Sequence, residues 1–127
     1  MFEILNDLGR VALDQGDADR AAALFGESLK LSWEPENEIG ITLSLVGLAG
    51  VAGALGQPAR AAQLLGVAKA IRESIGRSLT PVERIVFDRY AATIRAQLGD
   101  ATFAVMWAKG QKMTLDQARA EALGGGG

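Results

Sequence analysis

The sequence predicts an all-α fold built from stacked helix–turn–helix units, on three observations. A stretch near the start recurs farther along the chain at a constant offset of about 40 residues. Alanine and leucine dominate, and apolar residues fall at helical spacing. Glycines, prolines and capping residues mark the joints between apolar segments.

The repeat aligns Leu5, Leu8, Val11, Ala12 and Gly16 with Leu45, Leu48, Val51, Ala52 and Gly56. It continues from Arg20, Ala21, Ala22, Leu24 and Gly26 to Arg60, Ala61, Ala62, Leu64 and Gly66. Glycines and arginines keep register as well as the apolar positions, so this is a true internal repeat of supersecondary units.

The first helix carries an expected buried stripe of Phe2, Leu5, Leu8, Val11 and Ala12. Gly16 stands where a left-handed residue closes a helix, and Asp17 can cap the next one. That second helix should bury Ala21, Leu24, Phe25 and Leu29. An acidic connector, Trp33 to Glu38, contains the helix-ending Pro35. The third helix, Glu38 to Leu55, is nearly free of charge and should be buried on several sides. Gly56 ends it, and Pro58 suits the first turn of a fourth helix burying Ala61, Leu64, Leu65, Ala68 and Ile71 and stopping near Gly76. Thr80-Pro81-Val82-Glu83 is a capping box opening a helix through Ile85, Val86, Tyr90, Ile94 and Leu98 to Gly99. Asp100 can cap a short helix holding Phe103, Met106 and Trp107 and ending at Gly110. Thr114 to Gln117 is a second capping box, opening a last helix through Ala118 and Leu123. Residues 1–123 thus form a single domain, with units at about 2–32 and 37–76 and capping helices at about 80–123. Residues 124–127 are a glycine tail expected to be flexible.

Composition narrows the chemistry. With no cysteine and no histidine, thiolate zinc sites, cysteine nucleophiles and the commonest general base are ruled out. A net charge of −2 gives no basis for binding nucleic acid by phosphate neutralisation. The start has no secretory-signal pattern, and the uncharged run from Ile41 is interrupted by glycines and too short to span a bilayer. A cytoplasmic protein without cofactor, metal or catalytic site is expected. The series Gly47, Gly50, Gly53 has neither dinucleotide nor P-loop spacing. Its physical use is close packing, between this chain's own helices or against a partner.

The first unit resembles a tetratricopeptide repeat through Leu8-Gly9, Ala12, Gly16, Ala21 and Phe25, while the second departs at Ala49 and Leu65. A narrower resemblance runs through Gly16-Asp17, Ala21 to Phe25, Leu48 to Val51, Gln57 to Ala62, Pro81 to Arg84, Ala96 to Gly99, Phe103, Trp107 and Thr114 to Ala118. In that order these look like the C-terminal sensor segment of bacterial multidomain signalling ATPases and LuxR-type transcription regulators. The resemblance implies a right-handed tetratricopeptide-like stack with C-terminal capping helices, acting in protein binding and signal transduction. The regulators' ATPase and DNA-reading motifs lie outside these residues.

By repeat geometry the first helix of each unit lines a concave face, made of Glu3, Asn6, Arg10 and Asp14 from unit one and Leu43, Val46, Gly50 and Ala54 from unit two. Such a groove suits an amphipathic or extended peptide. Expected partners are a protein, a peptide or the other domains of a larger regulator, and the capping helix from Thr80 can fill the groove instead. The competing reading is a self-association module whose apolar second unit pairs two chains. Trp33, Phe87, Tyr90 and Trp107 are expected in the core or as interface anchors. Glu83, Arg84, Asp88, Arg89 and Arg95 are expected on a solvated face. Glu34 and Glu36 sit in a loop without a pocket to give them acid–base work.

Overall fold

A computed structural model describes residues 2–33, 38–74, 76 and 80–124, side chains at positions 2, 3, 115, 119 and 123 apart. It is all-helical among these residues. In order the helices are α1 (Phe2–Asp14), α2 (Ala18–Trp33), α3 (Glu38–Ala54), α4 (Pro58–Ser74), α5 (Pro81–Leu98), α6 (Asp100–Gln111) and α7 (Leu115–Gly124). Pro35, Glu34 and Glu36 lie outside the described residues, as does the tail beyond Gly124.

The sequence repeat is also a repeat of hydrogen bonds. After α1, Gly16 turns left-handed at φ +82°, and its N–H donates to the Leu13 carbonyl at 3.0 Å. The Asp17 N–H reaches back to the Ala12 carbonyl at 2.9 Å. After α3, Gly56 does the same at φ +77°, with Gln57 N–H donating to Ala52 at 2.8 Å. Only glycine takes this conformation without a Cβ penalty, which is why both turns keep it. Asp17 caps α2 by accepting from the Arg20 backbone N–H at 3.1 Å.

Helices α1 and α2 pair, α3 packs on α2, and α4 pairs with α3. On its other flank α4 carries α6, while α5 lies across α3 and α4. The core follows the expected positions: Ala21, Phe25 and Leu29 of α2, and Ala61, Leu64, Leu65, Ala68 and Ile71 of α4, are buried. Helix α3 is buried on nearly all sides, from Gly40 to Gly53. Its glycines receive neighbouring side chains. The Phe25 ring lies between Gly9 and Gly47, so close that a Cβ on Gly9 would stand 2.8 Å from ring carbons and one on Gly47 closer still. Tyr90 covers Gly50, where a Cβ would sit 2.9 Å from its ring. Polar residues are buried here too, among them Ser28, which shares a 2.8 Å hydroxyl contact with Ser44 between α2 and α3.

At the α4–α6 crossing the backbones themselves approach. A Cβ on Gly66 would collide with the Trp107 carbonyl, and one on Gly110 with the Gln63 carbonyl. Trp107 is half-buried there, edge-on to Phe87 at 5.9 Å, and Arg95 lies 4.7 Å over the Phe103 ring.

Four expectations are corrected. In α1 only Ala12 of the described stripe residues is buried; Leu8 and Val11 are 46% and 52% exposed, because the helix turns Asn6, Gly9 and Ala12 inward instead. Gly110 does not end α6, which continues to Gln111; its lack of a side chain serves the crossing. Gly99, at φ +85°, takes the N-cap position of α6, so Asp100 is its first residue and not its cap. Glu83 is not on a solvated face: it accepts from the buried Arg72 guanidinium at 2.8 Å. The same carboxylate closes the capping box by accepting from the Thr80 N–H at 3.0 Å. One side chain therefore starts α5 and ties that start to α4.

Candidate binding cleft

Helices α1, α3 and α5 enclose a cleft of about 250 Å³. Its floor is apolar: Leu43, Val46 and Gly47 from α3, with Phe25 beneath. The α5 wall supplies Val82, Val86 and Tyr90, and Val82 stands at the rim with 62% of its surface exposed. The α1 wall is polar, with Asn6, Asp7 and Arg10.

These residues reach one place for identifiable reasons. The Gly9–Phe25–Gly47 contact draws α1 against α3, since no side chain intervenes at either glycine. The Arg72–Glu83 pair and the Thr80 capping box hold the first turn of α5 at the cleft's opposite edge. Farther along, Tyr90 on Gly50 and Ile94 beside Gly53 seat the helix on α3.

Asn6 is the unusual member. It is 7% exposed, and among the described residues neither its amide nitrogen nor its amide oxygen has a hydrogen-bond partner. A buried polar group left unpaired costs about 1–3 kcal/mol, so the position carries a cost that packing alone would have removed by placing leucine there. Arg10 and Asp7 pair at 2.6 Å on the more exposed side of the same helix. Burial, and secondarily the Asp14 carboxylate, push the Tyr90 hydroxyl above its ordinary ionisation range, so it is a neutral donor at physiological pH.

Of the expected concave residues, Asn6, Arg10, Leu43 and Val46 line this cleft together. Gly50 and Ala54 do not; they lie along a second hollow with Leu13, Tyr90 and Ile94, where α5 crosses α3. Asp14 faces Arg89 of α5 at 3.6 Å, both side chains being exposed. The Glu3 side chain lies outside the described residues. The capping helix thus crosses the groove at Gly50, where Tyr90 covers it, while Ala54 stays exposed and the Asn6–Val46 end stays open. Sequence reading brought the Thr80 helix to the groove but did not single out Val82, Glu83 or Val86 as its lining, because nothing local in them signals that they face α1. It also missed that Asn6 is buried, although a polar residue on the helix face shared with Gly9 and Leu13 is a usable signal.

Among the described residues no helix is long and apolar enough to cross a membrane, and no group of three or more acidic or other ligating side chains is placed to hold a metal. Comparison with models of known protein families, with curated proteins and with solved structures finds no match to this chain.

Proposed function

We propose that this chain is a binding module whose cleft between α1, α3 and α5 takes one apolar side chain of a peptide segment. The observation that carries the reading is the buried Asn6 amide, without a partner among the described residues, in the polar wall of a cleft whose floor is apolar. A peptide bond offers one donor and one acceptor, the pair that a carboxamide lacks here. Leu43, Val46 and Val86 would take the side chain, and a turn of Asn6 towards the segment's main chain would satisfy both amide atoms.

The identical turns after α1 and α3, and the packing of α3 on α2, support a tetratricopeptide-like stack of two units with α5 to α7 as its cap. On that reading the module is the sensor region of a bacterial signalling or transcription regulator, working in the cytoplasm without contacting nucleic acid. Its cleft walls come from both units and from α5, so an occupant would bias the position of α5 against the repeat pair. No catalytic role is part of this proposal.

The test begins with selection of peptides from a random displayed library against the whole chain. A selected peptide is then titrated by fluorescence anisotropy against the parent and against Leu43→Arg, a half-buried floor position. The proposal expects at least a tenfold loss of affinity in the variant, with its helical signal retained. A selected peptide that binds Leu43→Arg and Val82→Asp as tightly as the parent would refute it.

A further inference from the structure

We infer that the outward face of α1 is the docking surface of another helix–turn–helix unit of the same kind, joined upstream in a longer chain. Independently of the cleft, each residue of α1 has a counterpart in α3.

Ile4, Leu8 and Val11 lie one above another along a single side of α1, away from Asn6 and Arg10. They are 60%, 46% and 52% exposed. Their counterparts in the second unit are Ser44, Leu48 and Val51. All three are buried, Leu48 at 7% and Val51 at 4% exposure. They face α2: Leu48 and Val51 share a hollow with Ala22, Ala23 and Gly26, which Arg60 of α4 and Ala122 of α7 also line, and Ser44 meets Ser28 hydroxyl to hydroxyl. The α2–α3 interface therefore has a half-interface repeated one period earlier on α1, with large apolar residues kept in the same register. The end unit of a helical stack ordinarily turns a polar face outward. This one turns out a row of aliphatic side chains.

The residues of α2 that meet α3 define the chemistry of the occupant. It is a helix with alanine or glycine at the positions of Ala22 and Gly26, which let Leu8 and Val11 seat against its backbone. Where α2 offers Ser28 to Ser44, the occupant must offer an apolar or small residue, because Ile4 stands in the place of Ser44 and cannot pair with a hydroxyl.

The test extends the full chain by a copy of residues 2–41 placed directly ahead of residue 2, with Ser28→Ala in the copy only. The extended protein is expected to gain helical signal in proportion to its added length and to melt in one transition several degrees above the parent. Leu8→Lys in the original α1 should abolish that gain, while the same substitution in the unextended chain leaves Tm nearly unchanged. An appended unit that stays unfolded or melts separately overturns the inference, as does a Leu8→Lys effect equal in both chains. A parent chain whose mass doubles with concentration, and returns to monomer with Leu8→Lys, assigns the face to a second copy and overturns it too.

Discussion

Replacing Gly66 by alanine puts a methyl group where α4 and α6 already touch backbone to backbone. The new Cβ would collide with the Trp107 carbonyl oxygen and stand 3.2 and 3.3 Å from its C and Cα. Two effects oppose each other. Alanine favours the helix over glycine by up to about 1 kcal/mol, while overpacking a filled interior costs about 1–3 kcal/mol or more. The second wins here because the obstacle is main chain, which has no rotamer to change; the helices must separate along their length. That separation also loosens Trp107 of α6 from Phe87 of α5. A net loss of about 1–2 kcal/mol is expected from these opposing terms. Gly110→Ala, at the same crossing against Gln63, should cost a similar amount, and the double variant less than the sum, since helices parted once need not part again. Gly53→Ala is the opposite case: its Cβ would meet Ile94 at 3.5 and 4.0 Å, ordinary contact distances. It should gain roughly 0.5–1 kcal/mol. Urea unfolding followed by circular dichroism measures all four, with an unchanged m value confirming that the midpoint reports stability. A Gly66→Ala variant as stable as the parent, or a Gly53→Ala variant as damaged as Gly66→Ala, would refute the packing argument.

Other measurements bear on single contacts. Glu83→Ala should cost about 3 kcal/mol by urea unfolding, since it strands the buried Arg72 guanidinium as well as opening the cap, whereas Thr80→Ala should cost only about 1 kcal/mol. Equal losses from the two would show that the ion pair contributes little. Ser28→Ala and Ser44→Ala should each destabilise by about 1 kcal/mol, and the double variant by less than twice that, because each single change already removes the one hydroxyl–hydroxyl bond the two share, beside which Ser44 also donates to the Gly40 carbonyl. Additive losses would argue against a shared hydrogen bond. Tyr90 ionises less readily folded than unfolded, so the stability it contributes is complete below pH about 10 and declines as pH rises through its higher folded value. Unfolding free energy measured from pH 9 upward should fall in the parent and fall less in Tyr90→Phe; identical slopes would count against this burial effect.

How much could be read from residue order depended on whether a signal was local. Caps, turns and helix limits were legible because Gly16, Gly56, Pro58 and the Thr80 and Thr114 boxes act within a few residues of themselves. The burial of α3 was legible too, since a helix without charge has nowhere else to go. The facing of α1 was not. It has apolar residues on two sides, and periodicity cannot say which side meets this chain's own helices. Asn6 went inward while Leu8 stayed out because Phe25 needs the bare flank of Gly9, a contact spanning two helices. The candidate cleft failed at the same point: its α1 and α3 residues follow from the repeat, but its α5 wall depends on Arg72 finding Glu83 from another helix.

The seat of Phe25 between Gly9 and Gly47 has a consequence for how the sequence can drift. An aromatic ring at position 25 and bare backbone at positions 9 and 47 form a lock with one shape, and a methyl group at either glycine meets ring atoms at once. Change at either glycine is therefore barred while the ring stays in place. In diverging descendants the ring would first shrink to leucine or valine, leaving a void that alanine at position 9 or 47 then fills. The reverse order passes through an overfilled core. Positions 9, 25 and 47 should accordingly exchange as a set, with the small-to-large changes always following the loss of the ring.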